Sequence, residues 1–255
     1  MIDSNNLKPL FHENWVDFNP TTLDEPQPEC PTCMDAGSLA IRFDDGRNTE
    51  YAPCGACALT HAETIVARIP PAFARELNDP TYHDGQRLGT AGKAVHDWAH
   101  ATVGSLMLVG TPGTGKSTLA TAAYRWMIRN VNGIRSAEWV KVPTLLQSIR
   151  DSYDRKFSVP VDSDLLSRCR TCDLLLLDDL GAQSVNERNA PWVREQLYSV
   201  IDYRSDWNLR TIFTSNLPLP ALKVQLGDAL TSRIVGVCGS NILAMNGKDL
   251  RYGDA

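Results

Sequence analysis

The second half of the chain alternates between two hydrophobic patterns. Short continuous apolar runs, "SLMLV" (105–109), "DLLLLD" (173–178) and "RTIFTSN" (210–216), are typical of strands buried on both faces of a parallel sheet. Between and around them, "LATAAYRWMIRN", "PTLLQSIRDSY" and "PWVREQLYSVIDYRSDW" carry apolar residues at helical spacing. Strands that alternate with helices in this way predict an α/β domain with a doubly wound parallel sheet.

The first quarter of the chain has a different pattern. "SLAIRFDDGRNTEYAP" (38–53) predicts two short strands around the turn "DDGRN". Residues 1–29 include "PTTLDEPQPE" and show little periodicity, so we expect no stable structure there without a partner. We therefore predict an N-terminal region over 1–63, a linker over 64–85 and the α/β domain over 86–255.

Composition and charge exclude several classes of protein. The chain of 255 residues is 43% hydrophobic and 22% charged, as in globular proteins. Residues 1–70 hold 4 Lys/Arg against 11 Asp/Glu, whereas residues 71–255 hold 21 against 19, so no domain has the strongly basic charge of a general nucleic-acid binder. With no secretory leader and no apolar run near the roughly 18 residues of a membrane span, we expect a cytoplasmic protein without a membrane partner.

Four cysteines form two closely spaced pairs. Cys30 and Cys33 lie in "CPTC", and Cys54 and Cys57 lie in "CGAC", with twenty residues between the pairs. Four thiolates in two C-x₂-C turns match the tetrahedral coordination of Zn²⁺ and leave no open position for chemistry. The spacing predicts a structural zinc ribbon over 30–57. The alternative, a pair of disulfides, is disfavoured in a reducing cytoplasm.

Two further patterns resemble metal motifs only superficially. "CRTC" supplies Cys169 and Cys172 without a second pair nearby, which favours two small hydrophobic side chains. "HDWAH" spaces His96 and His100 like the HExxH zinc motif, but no third ligand is evident. We interpret both as structural.

The segment "GTPGTGKST" after the first strand carries the most specific motif in the chain. It matches G-x-x-x-x-G-K-[ST] in full, and it stands between a predicted strand and a predicted helix. In such a loop backbone N–H groups surround phosphates, Lys116 neutralises the β and γ oxygens, and Ser117 offers its hydroxyl to Mg²⁺. The predicted ATP-binding residues are Gly110, Thr111, Pro112, Gly113, Thr114, Gly115, Lys116, Ser117 and Thr118.

Polar residues at the ends of the two later strands predict the catalytic groups. "DLLLLDD" ends in Asp178 and Asp179, the position of the Walker B acids in P-loop proteins. We expect Asp178 to hold Mg²⁺ and Asp179 to act as general base for the attacking water. If the strand that precedes Asn216 lies between the other two strands, the Asn216 amide would stand beside the γ-phosphate and position water.

In this order, these elements resemble those of the AAA+ ATPases. Arg233 in "ALTSRIVGV" looks like the arginine finger, which such proteins project from a helix into the ATP site of a neighbouring subunit. The alternative is a surface arginine whose stem packs on apolar neighbours. Only 22 residues follow Arg233, so we expect no helical lid domain.

Within the AAA+ proteins, residues 66–252 resemble the DnaC/DnaI/IstB family. The resemblance rests on "RIPPAF", "DLLLLDDLG", "TSN", "TSRI" and "GKDLR", and it makes Arg251 the counterpart of the sensor-2 arginine. A zinc-binding N-terminal region is typical of the helicase loaders in this family. The resemblance therefore implies an ATPase that docks through residues 1–63 on a hexameric replicative helicase, self-associates through its ATP sites and loads the helicase on single-stranded DNA. The compact chain favours a phage-encoded version.

Three other interpretations remain open on the sequence alone. An IstB-like ATPase that assists a transposase on duplex DNA shares every ATPase motif. A zinc-ribbon adaptor that only senses nucleotide would not need Asp179 or Arg233, and a small-molecule kinase would need a second-substrate lid. For DNA the candidate segment is "IRDSYDRKF", which interleaves aromatic and basic side chains; these are Arg150, Tyr153, Arg155, Lys156 and Phe157. A helix end with a solvated loop explains that segment equally well.

Overall fold

The computed structural model divides the chain into two units, residues 1–64 and 65–255. The structure describes residues 7–9, 38–42, 49–53, 62–73, 75, 77, 89–101, 104–131, 133–154, 163–183, 189–247 and 249–250. The four cysteines of the predicted zinc ribbon, Arg251 and residues 155–157 lie outside the described residues.

The described part of the N-terminal unit is a small antiparallel sheet. It contains β1 (Leu7–Pro9), β2 (Ser38–Arg42) and β3 (Thr49–Pro53), in the order β1-β2-β3. Strands β2 and β3 pair from Ser38 opposite Pro53 to Arg42 opposite Thr49, so the predicted two-stranded element between the cysteine pairs is confirmed. The expectation of no stable structure in residues 1–29 is wrong at Leu7–Pro9, because β1 pairs with β2; three residues are too few to establish a period in the sequence.

The second unit is built on a five-stranded parallel sheet in the order β5-β6-β7-β4-β8. Its strands are β4 (Leu106–Val109), β5 (Ala137–Lys141), β6 (Leu174–Asp178), β7 (Arg210–Ser215) and β8 (Ile242–Ala244). Its helices are α1 (Gly89–Ala101), α2 (Lys116–Asn130), α3 (Val142–Asp154), α4 (Ser163–Thr171), α5 (Ala190–Asp206), α6 (Leu219–Leu226) and α7 (Asp228–Cys238). Pro71–Phe73 forms a 3₁₀ turn, and residues 62–67 are helical.

The predicted α/β alternation is confirmed, and the core lies on the central strands. All five residues of β6 are buried, as expected for a strand with helices against both faces. Helices α3, α5 and α7 add the buried residues Leu145, Leu197 and Ile234 to the same cluster. Strand β5 and helices α1, α4 and α6 were not predicted, because their apolar stretches are short. Among the described residues, no helix is both long and apolar enough to cross a membrane.

Arg204 of α5 forms hydrogen bonds near the start of two neighbouring strands. Its side chain is 2% exposed, and Nη1 donates to the Cys172 carbonyl at 2.7 Å just before β6. Nε donates to the Thr211 hydroxyl at 2.8 Å inside β7. Burial lowers the pKa of Arg204 from its ordinary value, so carbonyl and hydroxyl acceptors must compensate for the lost solvation. This buried guanidinium therefore links the segment before β6 to the start of β7.

The start of the predicted linker contributes to the second unit. Ile65, Val66, Ile69 and Leu77 are buried, and the ring of Phe73 lies 5.5 Å from that of Trp139 in β5. The stretch before α1 therefore packs on the α/β unit at these positions.

Candidate functional site

The carboxyl ends of the parallel strands meet at one edge of the sheet, and the predicted phosphate-binding loop, Asp178, Asp179 and Asn216 lie there. Strand β7 lies between β4 and β6, which is the arrangement expected from the position of Asn216. Gly110 follows β4, Asp178 ends β6, and Ser215 ends β7. Ligands of open α/β sheets bind at this edge, because the loops there diverge and leave a crevice.

The phosphate-binding loop has the backbone that the motif requires. Gly113 and Gly115 have φ values of 80° and 86°, in the region that glycine adopts without strain. Lys116 begins α2, is 5% exposed, and donates from Nζ to the Thr111 carbonyl at 2.6 Å. The Thr114 hydroxyl donates to the same carbonyl at 2.9 Å. The amine is thus held within its own loop, where phosphate oxygens are its natural alternative acceptors.

The chain after β8 runs across this loop. Met245 N–H donates to the Val109 carbonyl at 2.7 Å, and Leu250 N–H donates to the Gly113 carbonyl at 2.9 Å. A side chain at Gly110 would collide with the Met245 carbonyl, and one at Gly113 would collide with the Asp249 carboxylate. The glycines therefore admit two neighbours, the phosphates on one side and the C-terminal segment on the other.

Asp178 is a buried carboxylate with one satisfied oxygen. Its side chain is fully buried, and Oδ1 accepts a 2.6 Å hydrogen bond from the Thr214 hydroxyl of β7. Burial raises the pKa of Asp178, while the hydrogen bond from Thr214 and the nearby Ser117 hydroxyl of the phosphate-binding loop oppose the rise. Among the described residues, no hydrogen-bond partner faces Oδ2. An orphaned buried oxygen beside the Ser117 hydroxyl fits a Mg²⁺ ion, which prefers oxygen ligands.

Asp179 occupies a strained turn beside Asp178. Its φ of 61° lies in the left-handed region that non-glycine residues rarely adopt. Its N–H donates to the Thr214 hydroxyl at 2.9 Å, so one threonine fixes both acids. The Asn216 amide donates to Oδ1 at 3.4 Å, and the carboxylate is 28% exposed. The Asp179 carboxylate is thus partly open to solvent, as the predicted role of general base requires.

Lys141 lies in the site but was not predicted from the sequence. It ends β5 and pairs in register with Asp178 of β6, because the two parallel strands end side by side. Its Nζ lies 3.4 Å from Asp179 Oδ2 and 3.9 Å from Asp178 Oδ2, and its side chain is 42% exposed. The short stretch "AEWVK" before the helical "PTLLQSIRDSY" was the available signal, since a strand there must end at the same edge as the other strands.

Arg233 projects from α7 and is paired within its own chain. Its Nη2 lies 2.6 Å from Asp202 Oδ1, and its Nη1 lies 3.1 Å from Asp206 Oδ1, both on α5. Nη2 also donates to the Tyr198 hydroxyl at 3.4 Å. That hydroxyl, followed by the Asp202 charge, raises the pKa of Arg233 above its ordinary value. The sequence around Arg233 has no acid within four positions, so the partners come from a different helix.

Arg150 also has an aromatic partner in the same chain. Its guanidinium lies 4.7 Å from the ring centroid of Trp192 at the start of α5. The side chains of Tyr153, Arg155, Lys156 and Phe157, which complete the candidate DNA segment, lie outside the described residues.

The two doubtful metal motifs are packed side chains in the described part of the chain. Cys169 lies in α4 and is 0% exposed, and burial raises its pKa to about 12. Burial also raises the pKa of Cys172. Neutral, buried thiols are poor nucleophiles and poor ligands. The rings of His96 and His100 stack with centroids 4.0 Å apart. No group of three or more His, Cys, Asp or Glu residues able to hold a metal ion occurs among the described residues.

Fold and site together define the class of protein. A parallel α/β sheet with a P-loop after β4, two acids after β6 and a polar β7 end between them is the fold of an AAA+ P-loop protein. The chain belongs to the IstB-like ATP binding protein family, whose profile matches residues 88–252.

Two curated relatives resemble the chain over part of its length. The replicative helicase loader DnaC of Buchnera aphidicola subsp. Baizongia pistaciae is 31% identical over 144 residues, which cover 55% of this chain and 55% of that protein. The phage-like element PBSX protein XkdC of Bacillus subtilis strain 168 is 30% identical over 146 residues, 56% of this chain and 51% of that protein. The chain thus spans about half the length of these relatives.

Solved structures of similar fold include the DnaC helicase loader and DnaI. The DnaC helicase loader superposes with a TM-score of 0.56 at 24% identity, covering 70% of this chain and 100% of that one. DnaI superposes with a TM-score of 0.52 at 24% identity, covering 71% of this chain and 94% of that one. At these identities the likeness establishes the fold.

Proposed function

We propose that this protein is a Mg²⁺-dependent ATPase that binds a hexameric replicative helicase and loads it on single-stranded DNA, with hydrolysis to ADP and phosphate driving release. The observation that carries hydrolysis is the double hydrogen bond of Thr214, which orients Asp178 and Asp179 together at 2.6 and 2.9 Å. One acid is buried beside Ser117, and the other faces the crevice. A site that only bound nucleotide would not need the second, strained acid.

The residues of the site have separate tasks in this proposal. Gly110 to Thr118 surround the triphosphate, and Lys116 leaves the Thr111 carbonyl to neutralise phosphate oxygens. Asp179 accepts a proton from the attacking water, while the Asn216 amide, 3.4 Å from Asp179, holds that water in line. We assign Arg251 to the same nucleotide on the strength of the family motif alone.

Asp178 and Ser117 are the residues that would hold Mg²⁺. The orphaned Oδ2 of Asp178 supports this assignment. When bound, the ion offsets charge on the phosphate oxygens. Without it, Lys141 is the nearest cationic partner of Asp178 Oδ2 in the described part of the chain, at 3.9 Å.

Arg233 is proposed to complete the ATP site of the next subunit. It lies on α7, and an arginine supplied in trans can contribute about 10³–10⁵ in rate by stabilising charge on the transferred phosphoryl group. A site that is complete only between subunits makes hydrolysis depend on self-association. It also makes the bound γ-phosphate a ligand that holds two subunits together.

The helicase-loading part of the proposal rests on the family and on the N-terminal unit. A relative named as a replicative helicase loader matches over 144 residues, and the strands β2 and β3 lie between the two cysteine pairs, as in a zinc ribbon. We infer that Cys30, Cys33, Cys54 and Cys57 hold a structural Zn²⁺ and that this acidic unit docks on the helicase. Arg150 and the aromatic-basic residues after it are the proposed contact with single-stranded DNA in the cytoplasm.

Co-purification with the replicative helicase of the same genome tests the docking role. The full chain is compared with a chain lacking residues 1–63 and with a Cys54→Ser/Cys57→Ser variant. Cys169→Ser serves as the control, because that thiol is buried in the other unit. We expect the full chain and the control to bind the helicase and the other two to lose binding.

A different outcome would favour a different member of the family. If no form binds the helicase, while ATP turnover rises with duplex DNA and a transposase, the chain is a transposition helper of the IstB type. The ATPase site would be unchanged in that case, because both functions use the same groups.

A further inference from the structure

The two nitrogens of Arg233 that would bind a phosphate are already occupied. Nη1 and Nη2 form the fork with which arginine grips phosphate in a bidentate manner. In this chain Nη2 lies 2.6 Å from Asp202, and Nη1 lies 3.1 Å from Asp206. A γ-phosphate that used the same fork would have to compete with these two carboxylates for Nη1 and Nη2.

The surroundings of Arg233 would also repel a phosphate. Two carboxylates surround one guanidinium, which leaves a local excess of negative charge. The Tyr198 ring lies on the same helix as the acids, with its centroid 5.8 Å from the guanidinium carbon and its hydroxyl 3.4 Å from Nη2. The side chain of Arg233 therefore contacts both the two carboxylates and the tyrosine of α5.

The ion pair between Arg233 and the two acids of α5 is close but incompletely aligned, as expected for a contact that can break and re-form. In the part of the chain that the structure describes, Asp202 Oδ1 is buried and accepts no aligned hydrogen bond, although Nη2 is 2.6 Å away. Asp206 is 61% exposed, and Arg233 is 36% exposed. A partly hydrated pair of this kind contributes little net stability, so a phosphate in the next subunit can compete for the arginine.

We propose that Asp202, Asp206 and Tyr198 form a holding site that keeps Arg233 withdrawn until a neighbouring subunit presents bound ATP. These three are positioning residues, since they act through Arg233. The inference rests on the proposed role of Arg233 as a finger in trans. It adds that the isolated subunit restrains its own finger, so assembly must overcome that restraint before hydrolysis begins.

The test is ATP turnover measured against protein concentration for the full chain. The key variant is Asp202→Asn/Asp206→Asn, which keeps the shape of both side chains and removes their charge. We expect half-maximal turnover at a protein concentration at least threefold lower than for the wild type, because the finger no longer has competing carboxylates. Glu195→Gln, an exposed charge change on the same helix, should leave the curve in place.

Two further measurements separate a holding site from a merely structural one. Adding Arg233→Ala to the double variant should abolish the gain, since the gain must act through the arginine. At a protein concentration too low for assembly, affinity for a fluorescent ATP analogue should stay unchanged, because Arg233 then meets no neighbouring nucleotide. If the double variant fails to fold, Tyr198→Phe removes one acceptor alone and should shift the curve in the same direction.

The result that would overturn the holding site differs from the result that would overturn the role of Arg233 as a finger. A folded double variant with turnover equal to or below that of the wild type at every concentration would overturn the holding site. Normal turnover in Arg233→Ala alone would instead overturn the finger itself, whatever the acids do.

Discussion

At the scale of single residues, two acids of the site are held in ways that cost folding stability. Asp178 is a carboxylate with no exposed surface, and one of its oxygens lacks a hydrogen-bond partner among the described residues. Asp179 keeps a left-handed backbone beside it. Neither feature helps the subunit fold, but both prepare oxygen atoms for a cation and for water.

The first prediction follows from the buried charge of Asp178. Asp178→Asn should raise the free energy of unfolding in EDTA at neutral pH by roughly 1 kcal/mol, since an amide is cheaper to bury than a carboxylate. ATP turnover should fall below detection in the same variant. Chemical denaturation and a phosphate-release assay measure the two effects.

The pH dependence gives this prediction its control. Burial raises the pKa of Asp178, so the folded state binds more protons than the unfolded state between the ordinary and the raised pKa. The stability of the wild type should therefore fall as pH rises through that interval, and this part of the slope should vanish in Asp178→Asn. If the two proteins have the same stability at neutral pH and the same slope, the carboxylate carries no such cost.

A second prediction concerns Lys141, which competes with a cation for the acids. Lys141→Gln should lower the Mg²⁺ concentration for half-maximal turnover by roughly threefold to tenfold, because an ammonium group about 4 Å from a ligand oxygen repels the ion. Lys223→Gln is the matched control, because Lys223 pairs with Asp228 instead, at 3.4 Å. An unchanged or higher Mg²⁺ requirement in Lys141→Gln would show that the amine assists the ion.

Much of the site at this scale follows from the sequence. Asp178, Asp179 and Asn216 could be placed because strand ends in a parallel sheet share one edge. The role of Thr214 and the approach of Lys141 could not, since both depend on which strands are neighbours. The partners of Arg233 were missed for a similar reason: α5 and α7 meet only in the folded chain.

At the scale of elements, the phosphate-binding loop is restrained from the side opposite the nucleotide. The segment that follows β8 donates Met245 N–H to Val109 at the end of β4 and Leu250 N–H to Gly113. Strand β8 is only three residues long, yet it sets the position of this segment by pairing with β4. The phosphate-binding loop and the C-terminal segment should therefore move together as one rigid body.

The third prediction tests that contact with two glycines. Gly110→Ala should lower the free energy of unfolding by about 2 kcal/mol or more, since its Cβ would overlap the Met245 backbone. Gly236→Ala in α7 should instead raise it by about 0.5–1 kcal/mol, because nothing lies within 4 Å of its Cβ and alanine favours the helix. Equal effects of the two substitutions in urea titrations would contradict the described packing.

Elements with a dense apolar pattern were predictable from the sequence, and elements with few apolar positions were not. Helices α2, α3 and α5 and strands β4, β6 and β7 have enough apolar positions to establish a period. Helix α4 has nine residues, and strand β1 has three. Such elements form because neighbours pack on them, as Arg204 does when it bonds to the carbonyls around Cys172.

At the scale of the whole molecule, the proposed function combines an acidic N-terminal unit with an ATPase site that two subunits must share. The described subunit contains the phosphate-binding loop, both acids and Asn216, but its Arg233 faces α5. A site whose last group comes from the next subunit remains silent in the monomer. ATP turnover would then report assembly, which is what a loader needs if it is to act only on its target.

The measurement that tests this claim most directly mixes two inactive variants. Asp179→Asn keeps the finger and loses the base, whereas Arg233→Ala keeps the base and loses the finger. An equimolar mixture should recover about a quarter of wild-type ATP turnover, since that share of random head-to-tail interfaces joins an intact site to an intact finger. Asp179→Asn mixed with Lys116→Ala is the control and should stay inactive, because both lesions fall in the same half of the interface. A first mixture no more active than its separate components would contradict the shared site.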